Sequence, residues 1–259
     1  MSGTAPPELE GYVQPEVYDL YYSWLTHDIP FYVARASEAR GPALEVGCGT
    51  GRILLPTLQS GADIDGLDLH PGMLEVLKRK ASALGLSPRV LQADMRDFTM
   101  PRRYALVTIP FRAFMHNLTT DDQLRTLRCC REHLESGGAL VYNLFYPSFD
   151  RLVAPDGEPH VEQEFPHPAT GLPVVMIATR WADRVNQVMR VEREVRESGP
   201  RGEIAAVHRD RFSLRWTYRA EMELLLQGAG FTRWQVCGGF DQRPLLKDTD
   251  EMVWTAWKD

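Results

Sequence analysis

The chain has 259 residues, of which 44% are apolar and 25% charged, and a formal net charge of −6. That balance excludes disordered, collagen-like and coiled-coil chains, and a chain of this length buries roughly 70 to 75% of its unfolded surface, so it needs no disulfide or metal to fold. The acid excess argues against a nucleic-acid partner, and no run approaches the ~20 consecutive apolar residues of a membrane span.

Residues 1–11 lack the charged-then-apolar pattern of a secretory signal, so a cytoplasmic protein is expected. Cys48, Cys129, Cys130 and Cys237 form no C-x-x-C pair, and no metal site is expected. From residue 42 to 143 short apolar runs alternate with amphipathic stretches, the pattern of strand and helix units in a parallel sheet. Strands are predicted over residues 43–46, 63–69, 89–93 and 104–110. Helices are predicted over 50–59 and 71–84, the latter with Leu74, Leu77 and Ala81 on one stripe. The right-handed crossover rule puts the first three strands in one sheet. Thr119 or Thr120 caps a further helix, and Ser136-Gly137-Gly138 ends it before a fifth strand over 139–145.

After Tyr146 six prolines between 147 and 173 predict an irregular connector. Residues 174–181, 185–196 and 211–216 then read as antiparallel strands. Residues 180–219 hold ten arginines against six acids, read as a solvated strand face. Thr217 is the expected cap of a helix through Leu226, followed by strands over 231–238 and 252–257. The divisions expected are an N-terminal helical lid (1–40), a core (41–147), an antiparallel insert (148–216) and a closing helix and strand pair (217–259).

The chemistry is concentrated in Leu44-Glu45-Val46-Gly47-Cys48-Gly49-Thr50-Gly51, a strand running into three alternate glycines and a helix. Glycines there permit positive φ and let a ligand approach the main chain at unpaired N–H groups. The plain alternative is a tight strand-to-helix turn. The spacing is neither the G-x-G-x-x-G of dinucleotide binders nor a P-loop. Asp68 ends the second strand, where an acid can accept from both ribose hydroxyls of a nucleoside; alternatively Asp68 or His70 caps the helix at Pro71. Asp94-Met95 ends the third, placed to read an adenine edge. Three such sites at consecutive strand ends point to one crevice.

Residues 45–51, Leu67-Asp68-Leu69 with Met73, and Asp94-Met95-Arg96-Asp97-Phe98 resemble the cofactor motifs of class I S-adenosylmethionine-dependent methyltransferases. The resemblance spans about residues 40–145. It implies an α/β fold with a Rossmann-like seven-stranded sheet, its last strand antiparallel, and an antiparallel β insert before the final helix. It also implies S-adenosyl-L-methionine as cofactor, with Gly47, Gly49 and Gly51 bordering its methionine part. Asp68 would hold the ribose, Met73 would pack on the adenine, Asp94 with Met95 would read its edge, and Tyr22, Glu45, Cys48, Leu69 and Pro110 would complete the cofactor-binding set.

A narrower likeness, to bacterial N-methyltransferases of nucleotide-linked amino sugars, rests on residues 17–22, 94–98, His116 and the insert. It implies that Tyr22 approaches cofactor and substrate and that His116 sits near the acceptor. Tyr104-Ala105 and Ile109-Pro110-Phe111-Arg112 depart from that group. Arg112, a cation beside the transferred methyl group, suits a carboxylate or phosphate acceptor better than an amine. His116 reads as base, as orienting donor or as a helix-entry residue, and Tyr18, Tyr21 and Tyr22 equally as an apolar helix stripe.

The expected function is methyl transfer to a small-molecule acceptor, amine nitrogen favoured, with His116, Tyr22 and Arg112 as catalytic residues. The alternatives are O-methylation of an acidic or hydroxylated metabolite and non-catalytic cofactor binding. A nicotinamide-dependent oxidoreductase fits poorly, since the third glycine comes one position early and no Tyr-x-x-x-Lys pair is present. The insert would roof the acceptor pocket or pair two subunits into a homodimer.

Overall fold

The computed structural model describes residues 14–259; residues 1–13, the start of the predicted lid, lie outside the described residues. Two sheets organise the chain. The first holds β1 (Ala43–Val46), β2 (Ile64–Asp68), β3 (Arg89–Gln92), β4 (Tyr104–Ile109), β5 (Leu134–Phe145), β10 (Arg233–Cys237) and β11 (Glu251–Trp257) in the order β10-β11-β5-β4-β1-β2-β3. Strands β1 to β5 pair in parallel, and β11 runs antiparallel to both neighbours, as the resemblance implies. β1 is buried along its whole length because it lies mid-sheet under helices on both faces. One face carries α5 (Thr120–His133) and α7 (Arg219–Gly228) over Leu127, Cys130, Met222 and Leu226. The other carries α2 (Ile29–Glu38), α3 (Leu54–Gln59) and α4 (Pro71–Ala83) over Tyr32, Leu54, Leu74 and Leu77.

The second sheet, order β6-β7-β8-β9, is antiparallel: β6 (His160–Pro166), β7 (Pro173–Asp183), β8 (Val188–Ser198) and β9 (Ile204–Arg215). It rests on α1 (Pro15–Tyr21) through Tyr21, Phe165, Val174, Met176 and Val195.

Several expectations are corrected. The helix expected from Thr50 starts at Leu54, because Gly49 and Gly51 take positive φ and prolong the turn. The predicted connector contains α6 (Phe149–Val153) and β6; Pro166 ends the edge strand β6 opposite Pro173, which opens β7, where a missing N–H is tolerated. β5 begins at Leu134 rather than Ala139, with a register shift around Gly137, φ 78°. Thr217 does not cap α7; its hydroxyl accepts from Gln123 at 2.9 Å. Nor is the Arg-rich stretch wholly a solvated face, since Arg193 and Arg215 are buried. Among the described residues no helix is long and apolar enough to cross a membrane, and no cluster of three His, Cys, Asp or Glu could hold a metal.

Candidate active site

A cavity of about 380 Å³ lies at the carboxyl ends of β1, β2, β4 and β5 and beneath the second sheet. That volume is in the range of small-molecule sites. Its floor begins where β1 meets Gly47. The N–H groups of Gly47 and Cys48 both donate to Leu67 O, at 2.8 and 2.9 Å, folding the chain over β2. Gly47, Gly49 and Gly51 all have positive φ, at 75°, 51° and 85°. At Gly51 a Cβ would also stand 2.9 Å from Leu55 Cγ, so the bend packs against α3 with no room for a side chain. Thr50 donates to Asp19 Oδ1 at 2.6 Å, and the Arg52 guanidinium forks onto buried Asp28 at 2.6 and 2.7 Å. These bonds clamp the N-terminal helices to the glycine bend.

Gly47, Gly49, Asp68, Leu69, Met73, Asp94, Met95 and Pro110 line the cavity. Glu45, Cys48 and Gly51 lie behind that lining. Cys48 turns its thiol away from the cavity, beneath Gly66. Glu45 has a buried Oε2 without a partner, and burial holds its carboxyl well above the ordinary range. Buried behind the bend, it does not reach the cavity; the fit to a nucleoside-bearing ligand rests on Asp68 and on the open floor at Gly49, where a Cβ would meet no atom within 4 Å.

Asp68 Oδ2 accepts from Gly49 N and Oδ1 from His70 N, both at 2.8 Å. Burial raises this carboxyl while the two N–H groups oppose the rise. His70, rather than Asp68, caps α4, its Nδ1 accepting from Met73 N at 3.3 Å. Asp94 is not the unencumbered acceptor expected, because Arg96 donates to both its oxygens, with Nη2 to Oδ2 at 2.5 Å. Burial would raise the Asp94 carboxyl, but Arg96 outweighs it and holds the group below its ordinary value.

The walls gather residues far apart in sequence. Arg193 on β8, itself buried, donates to Tyr22 Oη at 2.5 Å and forks onto Asp210 of β9. Its guanidinium lies 5.1 Å from both the Tyr22 and Phe212 rings. Burial pushes the Tyr22 phenol up, against the pull of Arg193, so Tyr22 stays protonated. Phe212 also meets His116, ring centres 6.2 Å apart. Burial pushes His116 down to about 4, partly offset by a hydrogen bond to the Ser213 main chain, so its imidazole is neutral near pH 7.

Phe111 and Arg112 carry left-handed φ values of 52° and 62°, turning the chain from β4 into a short 3-10 helix, Ala113–His116. Two such residues in succession are strained, and the strain sits at the cavity wall. Arg112 does line the cavity, but its charge is matched: it forks onto Glu251 of β11 at 2.8 and 2.6 Å. Glu251 also accepts from Asn143 at 2.6 Å, and Asn143 from Tyr32 at 2.8 Å. Arg112 is therefore not the bare cation that the sequence suggests. Arg193, Asp210, Asn143 and Glu251 escape a reading of the sequence because no local spacing marks them.

Residues 43–138 match the family model described as a methyltransferase domain. This part of the chain is similar to methyltransferase domains. Over 136 residues the chain is 32% identical to a dTDP-3-amino-3,4,6-trideoxy-alpha-D-glucopyranose N,N-dimethyltransferase of Streptomyces venezuelae, covering 49% of this chain and 54% of that protein. The match thus spans about half the length of that relative. A cypemycin N-terminal methyltransferase of a Streptomyces species is 25% identical over 242 residues, 92% of this chain and 93% of that one. Among solved structures, the CcbJ methyltransferase of Streptomyces caelestis superposes with a TM-score of 0.78 at 22% identity, covering 98% and 99% of the two chains. Streptomyces venezuelae DesVI gives 0.73 at 23%, covering 94% and 98%. At those identities the likeness is one of fold, and it extends beyond residues 43–138 to the second sheet.

Proposed function

We propose that the protein transfers a methyl group from S-adenosyl-L-methionine to an amine nitrogen of a small-molecule acceptor. The observation that carries this reading is the convergence, in one cavity, of the glycine bend, Asp68, Asp94-Met95 and a neutral His116 under the second sheet. When bound, the cofactor supplies an activated methyl group, so the protein's task is alignment and exclusion of water. Gly47 and Gly49 admit the methionine part, Asp68 holds the ribose, and Met73, Asp94 and Met95 face the adenine. The N,N-dimethyltransferase relative supports nitrogen as the acceptor atom. So does the pairing of Arg112 with Glu251, which removes the cation that favoured an acid.

Magnitudes decide the role of His116. An ordinary alkylammonium has a pKa near 10, whereas His116 is held at about 4. A proton passed from one to the other would climb about 6 units, about 8 kcal/mol. His116 therefore orients the acceptor rather than deprotonating it, and the amine reaches the cavity already neutral. Tyr22, protonated and braced by Arg193, acts as a hydrogen-bond donor rather than a base.

Titration calorimetry with S-adenosylmethionine, S-adenosylhomocysteine and NAD tests the first half: the first two should bind and NAD should not. A release assay for S-adenosylhomocysteine over panels of small amines, alcohols and acids tests the second. No binding at millimolar supply overturns the cofactor assignment, and binding without turnover on any panel reduces the protein to a cofactor-binding one.

A further inference from the structure

The charges along the β5 and β11 side of the cavity do not cancel. Arg112 is paired with Glu251, and Arg180 of β7 with Glu162 of β6. Arg151, on α6, lines the same wall and forms no ion pair and no hydrogen bond with any described residue. Its guanidinium lies 4.5 Å from the centre of the Phe145 ring, the last residue of β5, which fixes where the charge stands. Phe145 also carries Arg112 at 5.5 Å on the same ring. Three arginines thus face two glutamates on one cavity wall, with one unspent positive charge.

This arrangement is unfavourable for the protein alone. Burial and repulsion from Arg112 and Arg180 push Arg151 down to about 10, only partly relieved by Glu251 and Glu162. A guanidinium beside like charges, exposed at the cavity wall and paired with no carboxylate of the described residues, matches the bidentate geometry of a carboxylate or phosphate. The position speaks for the acceptor rather than the cofactor. The glycine bend follows β1, and β5 lies two strands away across β4, about 10 Å at the usual strand spacing.

Resting on the function proposed above, we propose that Arg151 is a specificity-determining residue: it binds an anionic group, carboxylate or phosphate, carried by the amine acceptor at the end remote from the reacting nitrogen. The orienting groups His116 and Tyr22 hold the nitrogen end, Arg151 the charged end, and the second sheet closes over both. One cation is enough to read the anion of such an acceptor, and the second, Arg112, is matched by Glu251.

The experiment uses the full chain and matched acceptors differing only in charge: amino acids against their amides, and amino-sugar phosphates against the free amino sugars. Each pair is assayed by S-adenosylhomocysteine release in wild type and in Arg151→Met. The wild type should prefer the anionic member of at least one series by tenfold or more in kcat/KM, through KM. The series showing the preference tells carboxylate from phosphate. Arg151→Met should abolish the preference while leaving neutral members within about twofold and S-adenosylhomocysteine affinity unchanged by calorimetry. Equal use of both members by wild type, or a preference that survives the substitution, overturns the inference. A fall in S-adenosylhomocysteine affinity also overturns it, because Arg151 would then serve the cofactor. Failure of wild type to bind S-adenosylhomocysteine sinks the underlying function instead, so the two failures are distinguishable.

Discussion

The floor and the roof of the cavity are built on different principles. The floor is made by consecutive strand ends, each delivering its contact by main-chain geometry or by a side chain at a strand terminus: Gly47 and Gly49 after β1, Asp68 at the end of β2, Asp94 just beyond β3. The roof and far wall are made by pairings between distant elements, Arg193 with Tyr22 and Asp210, Arg112 with Glu251, Glu251 with Asn143. A floor of this kind serves a ligand common to many proteins, because parallel strands with helical crossovers place it the same way each time. A roof held by side-chain pairs can be rebuilt for each acceptor without disturbing the sheet.

The largest effect expected is on the floor. Asp68→Ala should weaken S-adenosylhomocysteine binding by about 1.5 to 3 kcal/mol, as loss of hydrogen bonds to a charged group does, read by calorimetry; unchanged affinity would remove Asp68 from the cofactor site. Next comes a contrast within the bend. Gly51→Ala adds a Cβ at φ 85° against Leu55 and should cost about 2 kcal/mol of folding stability in urea titration. Gly49→Ala meets no neighbour within 4 Å and should cost about 1 kcal/mol while blocking the cofactor. Equal stability losses would mean that the bend serves folding alone.

On the roof the effects are smaller and pH-dependent. His116 is held at about 4 in the folded protein, against about 6.5 in an unfolded chain. Between those values the unfolded state binds the extra proton, so the stability supplied by neutral His116 is complete above about pH 6.5. It declines as pH falls toward 4, by on the order of 2 kcal/mol at pH 5. Urea titrations of wild type and His116→Asn across this window should converge at low pH; parallel curves would show His116 solvated. In kinetics, kcat/KM should rise with the acceptor's own amine titration and show no step at pH 6.5, whereas such a step would restore His116 as a base. The smallest effect is a coupling. Arg193→Lys and Tyr22→Phe should each lower turnover, and the double variant should fall short of their sum by about 1 kcal/mol. Strict additivity would separate Arg193 from Tyr22.

The floor is legible in the amino-acid sequence because its signals are local. Glycines two apart after a buried run, and acids closing two successive apolar runs, each require only a few neighbouring residues to be read. The same locality sets the limits of that reading. Cys48 sits between two cavity-lining glycines, yet its thiol points beneath Gly66. At Asp94 the strand-end position is plain, but nothing in the spacing tells that Arg96, two residues on, folds back onto the carboxylate. The six prolines conceal β6 because prolines at strand ends look like prolines that forbid strands.

Local sequence determined the alternation of strand and helix, the position of the glycine bend and the acids at its side, because hydrophobic period and backbone conformation act over a few residues. Which cation stays unpaired, whether His116 carries a proton and what braces Tyr22 were decided only in three dimensions. Those properties depend on burial and on partners 100 or more residues away, as with Arg112 and Glu251, or Tyr22 and Arg193. Charge pairing and desolvation fall off with distance through space rather than along the chain.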